Sequence, residues 1–135
     1  MAAAALQNRV AGLRTELVVI RTRGDAILDK PLPEIGEIDL IRQACAITRA
    51  GFMRVCRFVK PGVTETQVEA EFAHEFIRRG GGFAYSPIIA SGKNACVLHY
   101  LANDQVCRKG ELLLLDVGAS YANYNSDLTR TIPVN

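Results

Sequence analysis

The sequence patterns predict an α+β fold in which two helices pack on an antiparallel sheet. Two stretches with apolar residues three and four positions apart come first, and several short β-type stretches separated by turn residues follow. Such elements bury their apolar faces by packing in layers. With 135 residues, the chain is long enough to bury a core of its own.

The first helix of the pair is predicted from Ile38 to Val59. Its apolar residues form one continuous face, and Pro61 and Gly62 end the pattern. That face contains Ile41, Ala44, Cys45, Thr48, Phe52, Val55, Cys56 and Val59. Upstream, the Ala-rich residues 2–20 also favour a helix, and residues 21–33 read as a connection.

The second helix is predicted from Glu65 to Arg79. Thr64 and Gln67 have the spacing of a capping box, in which a hydroxyl and an amide each satisfy a free backbone N–H. Gly80 supplies the left-handed residue that follows many helices. The buried face is expected to contain Val68, Phe72, Phe76 and Ile77.

Strands are predicted after Gly80. They are Phe83–Ala90, Cys96–Tyr100, Leu112–Val117 and Tyr124–Ile132, separated by turn residues. The Leu112–Val117 run is apolar on both faces, which is typical of a central, buried strand.

Composition argues against several classes of protein. The net charge of +2, with no Lys/Arg stripe interleaved with aromatic residues, argues against a nucleic-acid partner. No stretch approaches the roughly 20 apolar residues that a membrane span needs, and the N-terminus lacks the basic region of a signal peptide. The four cysteines form no CxxC pair. We therefore expect a cytoplasmic protein with reduced, mostly buried thiols.

Asp116 and Asp127 are the candidate metal ligands. Asp116 follows four leucines, where a carboxylate is costly unless it is paired or metal-bound. If the following hairpin is symmetric about the Tyr121–Ala122 bond, Asp116 and Asp127 lie directly opposite each other, with Cβ atoms about 4.5–5.5 Å apart. Two like charges at that distance favour a divalent cation between them.

Two alternatives stay open from the residues alone. Asp116 caps a bend while Asp127 pairs with Arg130, or the hairpin contains a bulge or a longer loop, since Tyr-Ala is not a favoured turn. His99 is the second candidate site residue, although a lone histidine beside Leu98 and Tyr100 is more often hydrogen-bonded in a core than catalytic.

Three segments have a distinctive wording: His99-Tyr-Leu-Ala-Asn103, the GELLLLDVG run of residues 110–118, and the YNSDLTRTIPVN run of residues 124–135. Together they resemble the aminopeptidase P/prolidase branch of the pita-bread metallopeptidases. The resemblance extends in unbroken order over residues 37–135, including the junction at residues 60–65 and the turn at residues 89–94.

The resemblance implies the first half of a pita-bread catalytic domain for residues 37–135, with residues 1–36 as the remnant of a preceding domain and its linker. It implies two divalent metal ions (Mn²⁺, with Co²⁺ or Zn²⁺ as alternatives), for which Asp116 and Asp127 match the first two ligands. His99 matches a histidine that contacts substrate and the tetrahedral intermediate. The implied reaction is hydrolysis of an N-terminal Xaa-Pro bond by a metal-bridging hydroxide.

The chain departs from the family pattern because the remaining ligands, one histidine and two glutamates, are expected beyond Asn135. We therefore expect weak or absent metal binding and no appreciable peptidase activity from this polypeptide alone. An apolar face left open would favour a homodimer that mimics the pseudo-twofold domain. The alternatives are a non-catalytic pita-bread binding module, or part of a sibling enzyme such as prolidase, methionine aminopeptidase or creatinase.

Overall fold

The computed structural model describes residues 35–135, and two helices begin this part of the chain. Helix α1 spans Ile35–Phe58 and helix α2 spans Glu65–Arg78, which confirms both helix predictions. The helix predicted over residues 2–20 lies outside the described residues.

The strands form two three-stranded antiparallel sheets instead of one. Their bounds are β1 Gly82–Phe83, β2 Ile88–Ser91, β3 Leu112–Val117, β4 Ala119–Tyr121, β5 Tyr124–Asn125 and β6 Leu128–Pro133. One sheet has the order β1-β4-β5 and the other has the order β2-β3-β6. The antiparallel α+β prediction is confirmed, and β3 lies at the centre of its sheet as expected.

Two of the predicted strands are each divided between the sheets. The predicted strand Phe83–Ala90 contains part of β1 and most of β2, and the predicted strand Tyr124–Ile132 contains β5 and most of β6. Both chain segments leave one sheet and enter the other in their middle, at residues 84–87 and at residues 126–127.

The predicted strand Cys96–Tyr100 is wrong. A 3-10 helix occupies Gly92–Cys96, and the Val97 amide donates to the Asn94 carbonyl at 2.9 Å. His99 then has a left-handed backbone, with φ of 53°. The turn that begins at Gly92 therefore continues instead of returning the chain to an extended conformation, and this segment is irregular.

The capping box at the start of α2 is confirmed. The Gln67 amide N–H donates to the Thr64 hydroxyl at 3.2 Å, and the Thr64 N–H donates to the Gln67 side chain at 2.9 Å. At the other end, Gly80 is left-handed, with φ of 75°. These contacts fix the position at which α2 begins and ends.

The core lies between the two helices and the sheets. Its fully buried members include Val55, Val68, Phe72, Phe76, Leu113 and Val117. Ile77 was expected to be buried, but 70% of it is exposed, because it follows Phe76 by about 100° around α2 and so points toward solvent. Within residues 35–135, neither helix is long and apolar enough to cross a membrane.

All four cysteines are free thiols. Cys56 and Cys107 are buried and Cys45 is half-buried, whereas Cys96 is exposed in the 3-10 helix. Burial raises the pKa of Cys56 to about 11, despite the opposing effect of the Arg57 charge. The expectation of mostly buried thiols holds for all but Cys96.

Candidate metal centre

The candidate centre lies where the chain passes three times from one sheet to the other. Residues 84–87 join β1 to β2, Gly118 joins β3 to β4, and residues 126–127 join β5 to β6. Each crossing places one part of the site: Tyr85 on the first, Asp116 just before the second, and Asp127 on the third. The site residues are therefore positioned by a break in the sheet.

The predicted register of the two aspartates is wrong. Asp116 lies opposite Ile88 on one side and Thr129 on the other. The hairpin turns at Ala122 and Asn123, whose φ values of 49° and 67° are left-handed, one residue later than predicted. Left-handed geometry at both central residues is the type I′ pattern, which Asn tolerates and Tyr does not.

The two carboxylates nevertheless converge on one group. The Tyr85 hydroxyl lies 2.7 Å from an Asp116 Oδ1 atom and 2.9 Å from an Asp127 Oδ1 atom. A later turn shifts the pairing by one position on each strand, so Asp127 remains on the face that Asp116 occupies. The expectation of two facing acidic side chains survives the error in register.

Tyr85 is a neutral hydrogen-bond donor at this site. Burial first, and then the hydrogen bond to Asp116 and its charge, raise the pKa of Tyr85 far above its ordinary value, and Asp127 acts in the same direction. A phenol carries one proton, so it can donate fully to only one of the two carboxylates at a time. This leaves the pair of carboxylates short of positive partners.

Gly118 is the residue that lets these parts come together. A Cβ atom built on Gly118 would lie 1.9 Å from the Ser126 carbonyl oxygen and 2.9 Å from the Tyr85 ring. Neither neighbour can be displaced cheaply, because one is backbone and the other holds both aspartates. Any side chain at this position would therefore force the crossings apart.

A buried pair of hydroxyls bridges the sheet break on its inner side. The oxygens of Thr48, on α1, and Ser126 are 2.7 Å apart. The Ala119 amide donates to Thr48 at 2.8 Å and to Ser126 at 3.1 Å. The hydroxyls thus take up a backbone N–H that faces the break, and they hold Ser126 beside Asp127.

The alternative interpretation of Asp127 finds no support. Arg130 donates to the Thr129 carbonyl at 2.6 Å, and the ion pairs formed among residues 35–135 do not include Asp127. Asp116 lies within β3 instead of capping a bend. Both acidic residues are half-buried and serve no evident ionic role within the fold.

The donor set fits a hard divalent cation. Two half-buried carboxylates facing a single hydroxyl offer oxygen ligands of the kind that Mn²⁺ and related ions accept. Within the described part of the chain, no group of three or more His, Cys, Asp and Glu side chains is arranged to hold a metal ion. The pair falls short of such a group by at least one side chain.

His99 lies apart from this pair in the chain and in its surroundings. It is exposed, on the irregular segment after the 3-10 helix. No hydrogen bond among residues 35–135 links it to either aspartate. The alternative in which His99 is a hydrogen-bonded core residue is therefore wrong.

Sequence reasoning missed Tyr85 and Gly118. Tyr85 stood unremarked inside a predicted strand, and no local pattern distinguishes it from other strand tyrosines. Gly118, directly after a buried β-run, did carry a signal, since a glycine within a β-pattern often marks a break or a close approach of backbone.

The comparisons with known proteins agree with a metallopeptidase. Residues 39–135 match the sequence profile of metallopeptidase family M24. The chain belongs to this family of metallopeptidases, and membership implies a divalent metal cofactor. The Xaa-Pro aminopeptidases of Haemophilus influenzae and Escherichia coli are each 42% identical to it over 100 residues.

Solved structures give the same result for the fold. Proline aminopeptidase P II from Yersinia pestis matches 76% of this chain with a TM-score of 0.75 and 40% identity. Pseudomonas aeruginosa aminopeptidase PepP matches the same share with a TM-score of 0.74 and 38% identity. The resemblance to the aminopeptidase P branch is confirmed, and the α+β fold is part of a pita-bread fold.

The chain is much shorter than its relatives. The match to the Haemophilus influenzae protein covers 73% of this chain but 23% of the relative. The match to the Yersinia pestis structure covers 76% of this chain but 24% of that structure. The activity of the whole relatives is therefore a matter for proposal here.

Proposed function

We propose that this chain supplies two aspartate ligands and a substrate-contacting histidine to a divalent-metal Xaa-Pro aminopeptidase. The observation that carries the proposal is the convergence of Asp116 and Asp127 on the Tyr85 hydroxyl. Membership of a metallopeptidase family and the names of the relatives support it. The reaction is hydrolysis of the bond between the N-terminal residue of a peptide and a following proline.

Asp116 and Asp127 would hold the metal through carboxylate oxygens. The proposal takes Mn²⁺ as the ion, with Co²⁺ and Zn²⁺ as alternatives, since all three accept carboxylate ligands. A divalent ion at this position supplies Lewis-acid polarisation of the scissile carbonyl and makes water a better nucleophile. The dinuclear arrangement is part of the proposal, because the two aspartates and the two glutamates that the resemblance implies would carry four negative charges, which two divalent ions balance.

The neighbouring residues orient this pair. Tyr85 keeps the two carboxylates facing each other, and Gly118 leaves the space in which its ring lies. His99 is exposed and can donate a hydrogen bond to the substrate oxygen that becomes negative in the transition state. In this assignment, His99 binds and stabilises substrate and takes no part in holding metal.

The polypeptide of 135 residues should bind metal weakly and lack appreciable activity when assayed alone. Two carboxylates leave a divalent ion with most of its positions on water, which limits affinity. The measurement is turnover of an Xaa-Pro peptide by the pure protein with added Mn²⁺. Robust turnover that a chelator abolishes would contradict this part of the proposal while supporting the assigned reaction.

A graft into a relative tests the function itself. Residues 37–135 would replace the matched segment of the Escherichia coli Xaa-Pro aminopeptidase, which is 42% identical over 100 residues. We expect the chimera to cleave Xaa-Pro peptides, and we expect Asp116→Asn in it to reduce the rate at least about a hundredfold. A folded, metal-loaded chimera without activity would contradict the proposal.

The proposal also includes the location and assembly of the chain. Four free cysteines fit the reducing cytoplasm. Exposed apolar side chains, including Leu98 at 90% and Leu112 at 55%, favour association of two copies. Sedimentation that shows a monomer throughout the micromolar range would contradict the homodimer.

A further inference from the structure

The segment that carries His99 is irregular but has a defined backbone conformation. Residues 97–103 lie outside regular secondary structure, and Leu98, His99 and Leu101 are exposed. Two of its residues are left-handed without being glycine: His99 has φ of 53° and Asn103 has φ of 46°. Such conformations persist when the surroundings impose them, so contacts at the base of the segment should hold it.

Glu65 provides those contacts from the first turn of α2. It is fully buried, which is rare for glutamate. One oxygen, Oε1, accepts from the Ser91 amide at 2.6 Å and from the Ser91 hydroxyl at 2.8 Å. The other, Oε2, accepts from the Tyr100 hydroxyl at 2.8 Å and from the Gln105 amide at 3.0 Å.

These four donors connect residues before, within and after the segment to one side chain. Ser91 immediately precedes the 3-10 helix, whereas Tyr100 and Gln105 follow His99. A carboxylate has about four acceptor positions, so Glu65 is saturated by the contacts that it makes. The Glu65 amide also donates to the Gln105 carbonyl at 2.9 Å. Glu65 therefore links the chain on both sides of His99 through hydrogen bonds.

Asn103 forms a second fastening on the same face of α2. Its side chain accepts from the Ile89 amide at 2.9 Å and donates to Glu69 at 3.1 Å and to the Pro87 carbonyl at 3.0 Å. Glu69 lies one helical turn after Glu65, so both point the same way. Because Asn103 anchors the segment independently of Glu65, loss of the Glu65 contacts should loosen the segment without detaching it from the fold.

We propose that Glu65 is a positioning residue for His99. By fastening Ser91, Tyr100 and Gln105, it determines where the exposed imidazole stands relative to the sheet that carries Asp116. The consequence for catalysis rests on the proposed function, but the fastening itself does not. Glutamine is an informative replacement, because its side-chain NH2 group cannot accept a hydrogen bond. In either orientation of the side-chain amide, this NH2 group faces the backbone N–H of Ser91 or of Gln105, so one of these two hydrogen bonds is lost.

The experiment compares Glu65→Gln with the unaltered chain by amide hydrogen exchange. We expect residues 97–105 to exchange about tenfold faster or more, while α1 and β3 keep their protection. Glu71→Gln is the matched control, because it removes the same charge from the same helix and breaks an ion pair with Arg54. It should leave residues 97–105 unchanged.

A second readout follows His99 directly. The chain has two histidines, so the imidazole signals of His99 and of the exposed His74 on α2 can be recorded together by NMR. Glu65→Gln should shift and broaden the His99 signal and leave His74 as it is. If Glu65→Gln does not fold, Tyr100→Phe, which removes one donor, should produce the same pattern with a smaller change.

The proposal is overturned if exchange and the His99 signal stay unchanged in the folded variant, or if protection is lost equally across the whole chain. Neither result depends on peptidase activity. A failed graft experiment with these local effects present would refute the proposed function and leave the positioning role standing.

Discussion

The two parts of the candidate site are held in place in different ways. Asp116 and Asp127 lie at a junction of two sheets, where the Tyr85 hydroxyl, Gly118 and a buried hydroxyl pair fix the crossings. His99 lies on an exposed, irregular segment that is tied to the fold through its base. The difference matches the proposed roles, since a pair of metal ligands would need the fixed separation that the junction gives. A residue that contacts substrate would need the access that an exposed segment gives.

Gly118→Ala should cause the largest change, because the added methyl group meets backbone in the junction. We expect a loss of about 3 kcal/mol or more in the free energy of unfolding. Chemical denaturation measures it. Gly36→Ala is the matched control, since a Cβ there meets nothing within 4 Å. Equal stability of the two variants would show that the close approach at Gly118 is not a constraint.

Tyr85→Phe should have the next largest effect, because it removes the one hydrogen-bond donor between two carboxylates. The expected cost is about 2 kcal/mol, since hydrogen bonds to charged groups contribute about 1.5–3 kcal/mol. Tyr121→Phe in β4 makes the same chemical change elsewhere and should cost under about 0.5 kcal/mol. If Tyr85→Phe proves as mild as its control, the hydroxyl does not organise the aspartates.

Thr64→Ala tests the helix that holds the His99 segment. The loss of the capping box should destabilise the chain by about 1 kcal/mol. Thr64→Ser keeps the hydroxyl and should recover most of that loss, as thermal or urea unfolding would show. The same loss in both variants would mean that the cap itself contributes little.

Thiol labelling should show the smallest effect and the sharpest contrast between the two regions. Cys96 is exposed beside the His99 segment, whereas burial raises the pKa of Cys56 to about 11 and also raises that of Cys107. At pH 8, a thiolate-specific reagent should therefore label Cys96 first and Cys56 only after unfolding. Cys96→Ser should remove the fast phase, and a fast phase that remains would contradict the assignment.

A raised thiol pKa also fixes the direction of a pH effect. The unfolded chain has a Cys56 pKa near the ordinary value of 9.0, and the folded chain has one of about 11. The folded state therefore keeps its proton longer. Its contribution to stability is complete below pH 9 and is lost as the pH rises toward 11.

Local patterns were sufficient for the helices and for β3. The apolar spacing of α1, the capping box of α2 and the two-sided apolar run before Asp116 are each determined by near neighbours in the chain. They were insufficient where the chain changes sheet or leaves it. Phe83–Ala90 is predicted as one strand although β1 and β2 belong to different sheets. Cys96–Tyr100 is predicted as a strand although a 3-10 helix ends at Cys96 and His99 is left-handed.

The prediction that the two aspartates face each other holds, although the register from which it was argued is wrong. Asp127 was expected opposite Asp116, and the observed partner is Thr129. The two carboxylates still meet, because the shift of register preserves their face of the sheet. The role of Tyr85 could not be predicted from the sequence, because it depends on contacts with Asp116 and Asp127, which lie 31 and 42 positions later in the chain.

The most direct test of the metal centre is paramagnetic broadening of the NMR spectrum by dilute Mn²⁺. Bound at the junction, the ion should broaden the amide signals of Tyr85, Asp116 and Asp127 before any others, and Asp116→Asn combined with Asp127→Asn should abolish the effect. Broadening that is centred on other carboxylates, or that persists in the double variant, would contradict the account.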